Sequence, residues 1–202
     1  EELLRDEDES RIPRTEFAQP ANFLVQAALV AELDAVGVRP HTVVGHSVGE
    51  VTAAYVSGAL SLQDALLVSF HRSRLQATTA GTGGMLAVGL SAEDATTWLD
   101  GDPDGASISI AAINSPTAVT LAGDDAAIGR WQEQFTAAGI FARTLKVEVP
   151  YHSHLMNPIL DEVRESLASL SPSTPTLPLF STVTGGQVTD ASWGPQYWCD
   201  NV

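Results

Sequence analysis

In the hexapeptide Gly45-His46-Ser47-Val48-Gly49-Glu50, a serine stands between two glycines at the spacing Gly-x-Ser-x-Gly. The β-branched pair Val43-Val44 precedes it, and an alanine-rich apolar run, Val51 to Val56, follows. That order predicts a strand, a sharp turn and a helix, with Ser47 at the apex of a nucleophile elbow. The backbone of such a serine is strained, and Gly45 and Gly49 are expected beside it because side chains there would collide with the packed strand and helix. Ser47 is thereby pushed out to where a substrate can reach it. The Val48 N–H, at the start of the helix, is placed to donate to an oxyanion, and the helix dipole adds to that field.

A serine hydroxyl is a poor nucleophile without a base in hydrogen-bond reach, and the five histidines are the candidates. His46 adjoins the serine but points away from it in a strand-to-turn geometry, His41 starts the strand, and His71 lies on a helix, so all three read as structural. His152 and His154, in Pro150-Tyr151-His152-Ser153-His154, precede a further helix, and one of the two is the expected base. The pair could instead ligate a metal, but no carboxylate or cysteine stands beside it at ligand spacing. A simple serine hydrolase with this elbow supplies its acid between the serine and the histidine. No acidic residue between Ser47 and His152 sits in a motif at an evident strand end, so the residues favour a Ser-His dyad over a triad.

The elements that must hold these groups follow from periodicity and punctuation. Phe17, Leu24, Ala28 and Leu33 are spaced as one face of a core helix from Phe17 to Val36, with Pro20 in its first turn and Gly37 as its stop. Ser61-Leu62-Gln63-Asp64 reads as a capping box opening a second helix, through Ala65, Leu66, Val68, Phe70 and Leu75 to about Ala77. After the junction Ala80-Gly81-Thr82-Gly83-Gly84 come a strand (Met85 to Leu90), a helix (Ala92 to Leu99) behind the Ser91 to Asp94 capping box, and two strands (Ser107 to Ile113, Ala118 to Ala122). A helix (Ala126 to Ala138) and a strand (Ile140 to Val147) complete a ferredoxin-like split βαβ order, with Asn114-Ser115-Pro116 as the hairpin turn. Beyond it the pattern predicts a helix from about Leu155 to Leu170, a proline-spaced linker, a buried strand from Leu179 to Val183, and an end, Trp193 to Val202, without a closing element. The fold class is therefore α/β. An α/β-hydrolase-like large subdomain (1–81 and 151–202) carries the elbow, and a ferredoxin-like βαββαβ small subdomain (82–150) is inserted in it.

The chain has 202 residues, 44% hydrophobic and 17% charged, which describes a folded protein except over the acidic first fourteen residues, where disorder is expected. A net charge of −15, with Lys146 the single lysine, argues against nucleic acid and anionic membranes as partners. No apolar run is long enough for a span and no leader pattern is present, so the expectation is a soluble, cytoplasmic protein. The lone Cys199 excludes a disulfide framework and a thiolate metal cluster within the chain.

Several segments in order resemble the acyltransferase domains of modular type I polyketide synthases, relatives of malonyl-CoA:acyl-carrier-protein transacylases. They are Phe17-Ala18-Gln19-Pro20, the elbow, Arg72-Ser73-Arg74, Gly84-Met85-Leu86-Ala87-Val88, Asn114-Ser115-Pro116, Val149-Pro150-Tyr151-His152-Ser153, Ser181-Thr182-Val183-Thr184-Gly185 and Tyr197-Trp198. The resemblance implies that Ser47 is the acylated nucleophile and His152 its base. It further implies that Arg72 holds the free carboxylate of a malonyl-type substrate through two parallel N–H bonds, and that Gln19, Val48, Tyr151 and His46 lie on the substrate side. No permanent cofactor or metal is implied. The substrate would be an acyl-CoA, the acceptor the phosphopantetheine thiol of an acyl carrier protein, and the partners the neighbouring synthase domains. In that family the residue before the histidine is commonly serine for α-methyl extenders and a bulky aromatic otherwise, so Tyr151, together with Val48, points to malonyl-CoA. The family's Gly-Gln-Gly turn and its C-terminal Gly-Pro-His segment have no counterpart here, and the domain is expected to be incomplete at both ends. A serine esterase or thioesterase, and an inactive truncated docking scaffold, are the alternatives.

Overall fold

A computed structural model describes residues 2–101 and 103–202, without the side chains of residues 103 and 104. The fold is mixed α/β with two separate sheets, and the chain divides into two compact units. One takes the residues up to Leu75 together with Leu160–Val202, and the other is Gln76–Ile159.

In the first unit, helix α1 (Thr15–Ala35) leads to the two-residue strand β1 (Val43–Val44), and the elbow turn runs into α2 (Gly49–Val56). Helix α3 (Leu62–Ala77) begins as its capping box predicts, with the Asp64 amide donating to Ser61 Oγ at 3.0 Å. Its buried side carries Ala65, Val68 and Leu75, but also Ser69, Arg72, Ser73 and Gln76, while Leu66 and Phe70 are exposed. The expectation for α1 also needs correction. Its buried residues are Thr15, Gln19 and Phe23, whereas Leu24 is 58% and Leu33 40% exposed. Those side chains belong to a different face, and Leu29, Val30 and Leu33 line a groove of about 740 Å³ that extends to Val44, His46 and Val48. Pro20 is inside the helix, because the helix starts at Thr15 rather than Phe17. The acidic N-terminus, expected to be disordered, folds back on itself: Glu2 accepts from the Arg11 amide at 2.9 Å, and the Arg11 guanidinium lies over the Phe17 ring. The Arg11 hydrogen bonds hold the Glu2 carboxyl at about 2, well below the usual carboxylate range.

The second unit places β2 (Gly84–Val88), α4 (Ala92–Asp100), β3 (Ile108–Ser115), β4 (Ala118–Gly123), α5 (Asp125–Ala137) and β5 (Ala142–Thr144) in the anticipated order. The sheet order is β3-β4-β2-β5, with β4 antiparallel between β3 and β2, which is the split βαβ arrangement. Ser91 caps α4 and Asp124 caps α5, each side-chain oxygen accepting an amide three residues on. Leu86, Leu121, Ile128, Trp131 and Phe135 form its core. The final strand covers only Ala142–Thr144 of the expected Ile140 to Val147, and the hairpin turns at Pro116-Thr117 beyond Ser115. This unit is longer than 82–150 because its flanks pack together. Thr79 Oγ1 lies 3.9 Å from Met156 Sδ, and the Gly81 amide donates to the Glu148 carbonyl at 2.9 Å.

The long helix expected from Leu155 to Leu170 is broken. A 3-10 segment, His154–Ile159, contains Pro158, which has no N–H to donate, and only α6 (Leu160–Ser166) is α-helical. Strand β6 (Leu179–Ser181) pairs parallel to β1 and antiparallel to β7 (Gly186–Val188); it is shorter than expected, and its Phe180 is partly exposed rather than buried. The C-terminus does close with an element, α7 (Pro195–Asn201), which has proline in its first turn and buries Tyr197, Trp198, Cys199 and Asn201. Burial pushes the Cys199 thiol up from its ordinary value.

Candidate functional site

The elbow forms as its residues predict. Ser47 has φ 53° and, with His152 at φ 57°, makes up the pair of non-glycine residues in the left-handed region among those described. Non-glycine residues held there carry strain that surrounding structure must maintain, and such strain clusters at functional sites. Gly45 is indispensable to the turn, since a Cβ there would lie 2.4 Å from the Glu50 amide and the Gly49 carbonyl. Gly49 differs from expectation: a Cβ at that position meets nothing within 4 Å, because it opens α2 on a side with no neighbour. The amides of Gly49 and Glu50 are taken by the His46 and Ser47 carbonyls at 2.9 and 3.1 Å, and the Val48 amide is not among those so bonded.

Three of the anticipated residues converge. Arg72 is 1% exposed, so it is not the solvated arginine that a charged side chain on a helix would ordinarily be. Its Nη2 donates to Ser47 Oγ at 3.1 Å, its Nη1 to Gln19 Oε1 at 2.6 Å and its Nε to Asn201 Oδ1 at 2.8 Å. The planar guanidinium is thus held along its fork beside Ser47. Gln19, anticipated on the substrate side, is itself buried and holds Arg72. His46 is exposed at the rim of the groove, next to Val48.

Two residues of this site, Glu50 and Asn201, were given no role by the sequence. Glu50 is fully buried, and its carboxylate accepts from the Thr182 amide (2.6 Å), Thr182 Oγ1 (2.9 Å), Tyr197 Oη (2.7 Å) and Asn201 Nδ2 (2.8 Å). Asn201 Nδ2 also lies 3.3 Å from the Ser47 carbonyl. Burial pushes the Tyr197 phenol far above its ordinary range, so it stays a donor. The available signal was Gly194-Pro195 ahead of Tyr197-Trp198, a helix-start pattern that would have put Asn201 on a helix.

His152 and Tyr151 belong to the other unit, in a turn that follows the buried Val149-Pro150. Ser153 Oγ donates to the Pro150 carbonyl at 2.6 Å and closes that turn, and the rings of Tyr151 and His152 lie 6.4 Å apart. His154 is committed elsewhere, with Nδ1 3.1 Å from Ser109 Oγ and its amide donating to the same oxygen at 3.2 Å. On α3, burial lowers the His71 pKa, and the nearby Arg74 adds to the shift. Among the described residues no group of three or more His, Cys, Asp or Glu side chains could hold a metal ion, and no helix is long and apolar enough to cross a membrane.

A buried arginine thus stands 3.1 Å from the serine of the elbow. Residues 1–202 match the acyl transferase domain family, and the chain belongs to it. It is 42% identical over 209 residues to the highly reducing polyketide synthase sdnO of Sordaria araneosa, covering 100% of this chain and 7% of that protein. Among solved structures, the loading acyltransferase of the avermectin modular polyketide synthase superposes with a TM-score of 0.90 at 34% identity, covering 99% of this chain and 64% of that one. The acyltransferase domain of SpnD, in complex with 2-(pent-4-yn-1-yl)malonyl, does so with a TM-score of 0.86 at 35% identity, covering 96% and 46%. The chain thus spans a small fraction of its curated relative.

Proposed function

We propose that this domain transfers an acyl group carrying a free carboxylate, malonyl before others, from coenzyme A through an ester on Ser47 to the phosphopantetheine thiol of an acyl carrier protein. The observation that carries the reading is the buried Arg72 guanidinium 3.1 Å from Ser47 Oγ. A hydrolase of neutral esters has no use for a desolvated cation at that point, because it stabilises a carboxylate the substrate lacks.

In this reading the His152 imidazole takes the Ser47 proton as Oγ attacks the thioester carbonyl. The developing oxyanion takes the Val48 N–H. The carbon–sulfur bond then breaks, and the proton held by His152 passes to the departing coenzyme A sulfur. The second half runs in reverse order: the carrier thiol gives its proton to His152, its sulfur attacks the Ser47 ester, and Oγ leaves with that proton. The malonyl carboxylate takes the Nη1 and Nη2 edge of Arg72, with Gln19 and Asn201 holding the guanidinium in place. Tyr151 fills the volume an α-methyl group would occupy and His46 lines the approach. The SpnD ligand is a malonyl derivative, which supports a carboxylate-bearing acyl group for this chain as well.

The test is the mass of the Ser47 peptide after brief exposure of the full-length protein to malonyl-CoA, methylmalonyl-CoA or acetyl-CoA. A malonyl adduct on Ser47 that chases onto a carrier thiol is expected. Release to water in preference to the carrier would establish the thioesterase alternative, and no adduct with any thioester would leave only a docking role.

A further inference from the structure

Arg72 donates to Asn201, and Asn201 in turn donates to Glu50. A carboxamide presents an acceptor on one side and a donor on the other, so which side faces Arg72 has to be set by its remaining partners. Asn201 Nδ2 is drawn by two acceptors, Glu50 Oε2 at 2.8 Å and the Ser47 carbonyl at 3.3 Å. Its Oδ1 is thereby left facing the Arg72 Nε–H at 2.8 Å. Glu50 follows Gly49 in the elbow, yet its carboxylate is turned away into a fully buried setting with four donors around it. Nothing in the proposed transfer chemistry uses it.

We propose that Glu50, acting through Asn201, aims the Arg72 guanidinium, so that selection of carboxylate-bearing acyl groups depends on a positioning residue behind the nucleophile. The inference rests on the reading in which Arg72 holds the substrate carboxylate. Its polarity makes a specific demand. In Glu50→Gln, the Thr182 backbone N–H requires an oxygen opposite it and has no other orientation to adopt. The new amide NH₂ therefore takes the Oε2 side, where it meets Tyr197 Oη and Asn201 Nδ2. The phenol relieves its clash by rotating its proton and accepting. Asn201 relieves its own by turning over, which sets Nδ2 against the Arg72 Nε–H, donor against donor, and drives the guanidinium out of line.

The experiment measures initial rates of Ser47 acylation in the full-length protein with malonyl-CoA and acetyl-CoA, for Glu50→Gln, Asn201→Ala and Arg72→Ala. The malonyl-to-acetyl rate ratio is expected to fall roughly ten- to a hundred-fold in both Glu50→Gln and Asn201→Ala, as misplacement of a positioned group by about an ångström does. Glu50→Gln added to Arg72→Ala should lower the ratio no further. Equal losses on both substrates would make Glu50 a packing residue only, and an unchanged ratio would break the relay. If Arg72→Ala collapses the ratio while Glu50→Gln and Asn201→Ala leave it intact, the relay alone falls. An unchanged ratio in Arg72→Ala brings down the underlying reading of Arg72 first. Should Glu50→Gln fail to fold, Glu50→Asp takes its place: it keeps the charge but shortens the reach to Asn201 Nδ2, so the ratio is again expected to fall, and an unchanged ratio breaks the relay.

Discussion

Replacing Arg72 by lysine keeps a positive charge on α3 and removes the planar fork. In the native site Nε, Nη1 and Nη2 are bound to three different acceptors, Asn201, Gln19 and Ser47, at 2.8, 2.6 and 3.1 Å. A lysine ammonium is a single point with tetrahedral donors and cannot span that set, so at least one of the buried Asn201 and Gln19 oxygens loses its charged donor. Each buried polar atom so abandoned costs about 1–3 kcal/mol, which predicts a measurable fall in thermal midpoint. The effect on catalysis is separate. A charge-assisted bidentate contact to a carboxylate contributes about 1.5–3 kcal/mol, and lysine retains one of its two bonds together with the Coulomb attraction. About half of that is lost, which predicts a roughly tenfold fall in malonyl transfer relative to acetyl transfer. Arg72→Ala loses the whole contact, and the ratio should fall by a further factor of about ten. The assay is the acylation time course of the Ser47 peptide with each thioester, with the thermal midpoint recorded beside it. If both substrates slow by one common factor in the lysine variant, the guanidinium holds the elbow together and does not read the substrate.

Ser47→Ala should abolish the acyl adduct, and His152→Ala should slow loading by roughly 10²–10⁴-fold; a larger loss from His154→Ala, whose ring is bonded to Ser109, would reassign the base. Gly45→Ala should lower the thermal midpoint sharply because its Cβ meets backbone at 2.4 Å, whereas Gly49→Ala has open space and should stabilise α2 by about 0.5–1 kcal/mol. Similar melting shifts for these two glycine variants would contradict the turn geometry. Tyr151→Ser should raise methylmalonyl over malonyl loading by up to about 1–3 kcal/mol of discrimination in a direct competition, and an unmoved ratio would remove the steric argument for malonyl.

What the sequence determined by itself is what local bonds determine. The Ser61 and Ser91 caps bond amides three residues away, and the elbow closes through Gly45 and the amides of Gly49 and Glu50, all within one short stretch. The strand and helix order of the second unit was legible for the same reason, since each element carries its own period and its own stop. Apolar spacing misled on α1, because spacing names a face without saying what covers it, and the side that is buried is the one bearing Gln19 and Phe23. It misled again past His154, where the apolar period continues straight through Pro158 while the helix does not. The elbow motif and the family resemblance together brought Ser47, Arg72 and Gln19 onto one list, but not the contacts that hold Arg72 beside Ser47. Those contacts continue in hydrogen bonds across 129 residues, from Arg72 to Asn201, and 151 residues, from Asn201 to Glu50. No periodicity encodes a pairing at such separations. A glutamate in a helix's first turn and an asparagine at the other end of the chain look like solvated side chains until folding removes the water around both, and burial then ties Glu50 to Thr182, Tyr197 and Asn201, and Asn201 to Glu50, Ser47 and Arg72.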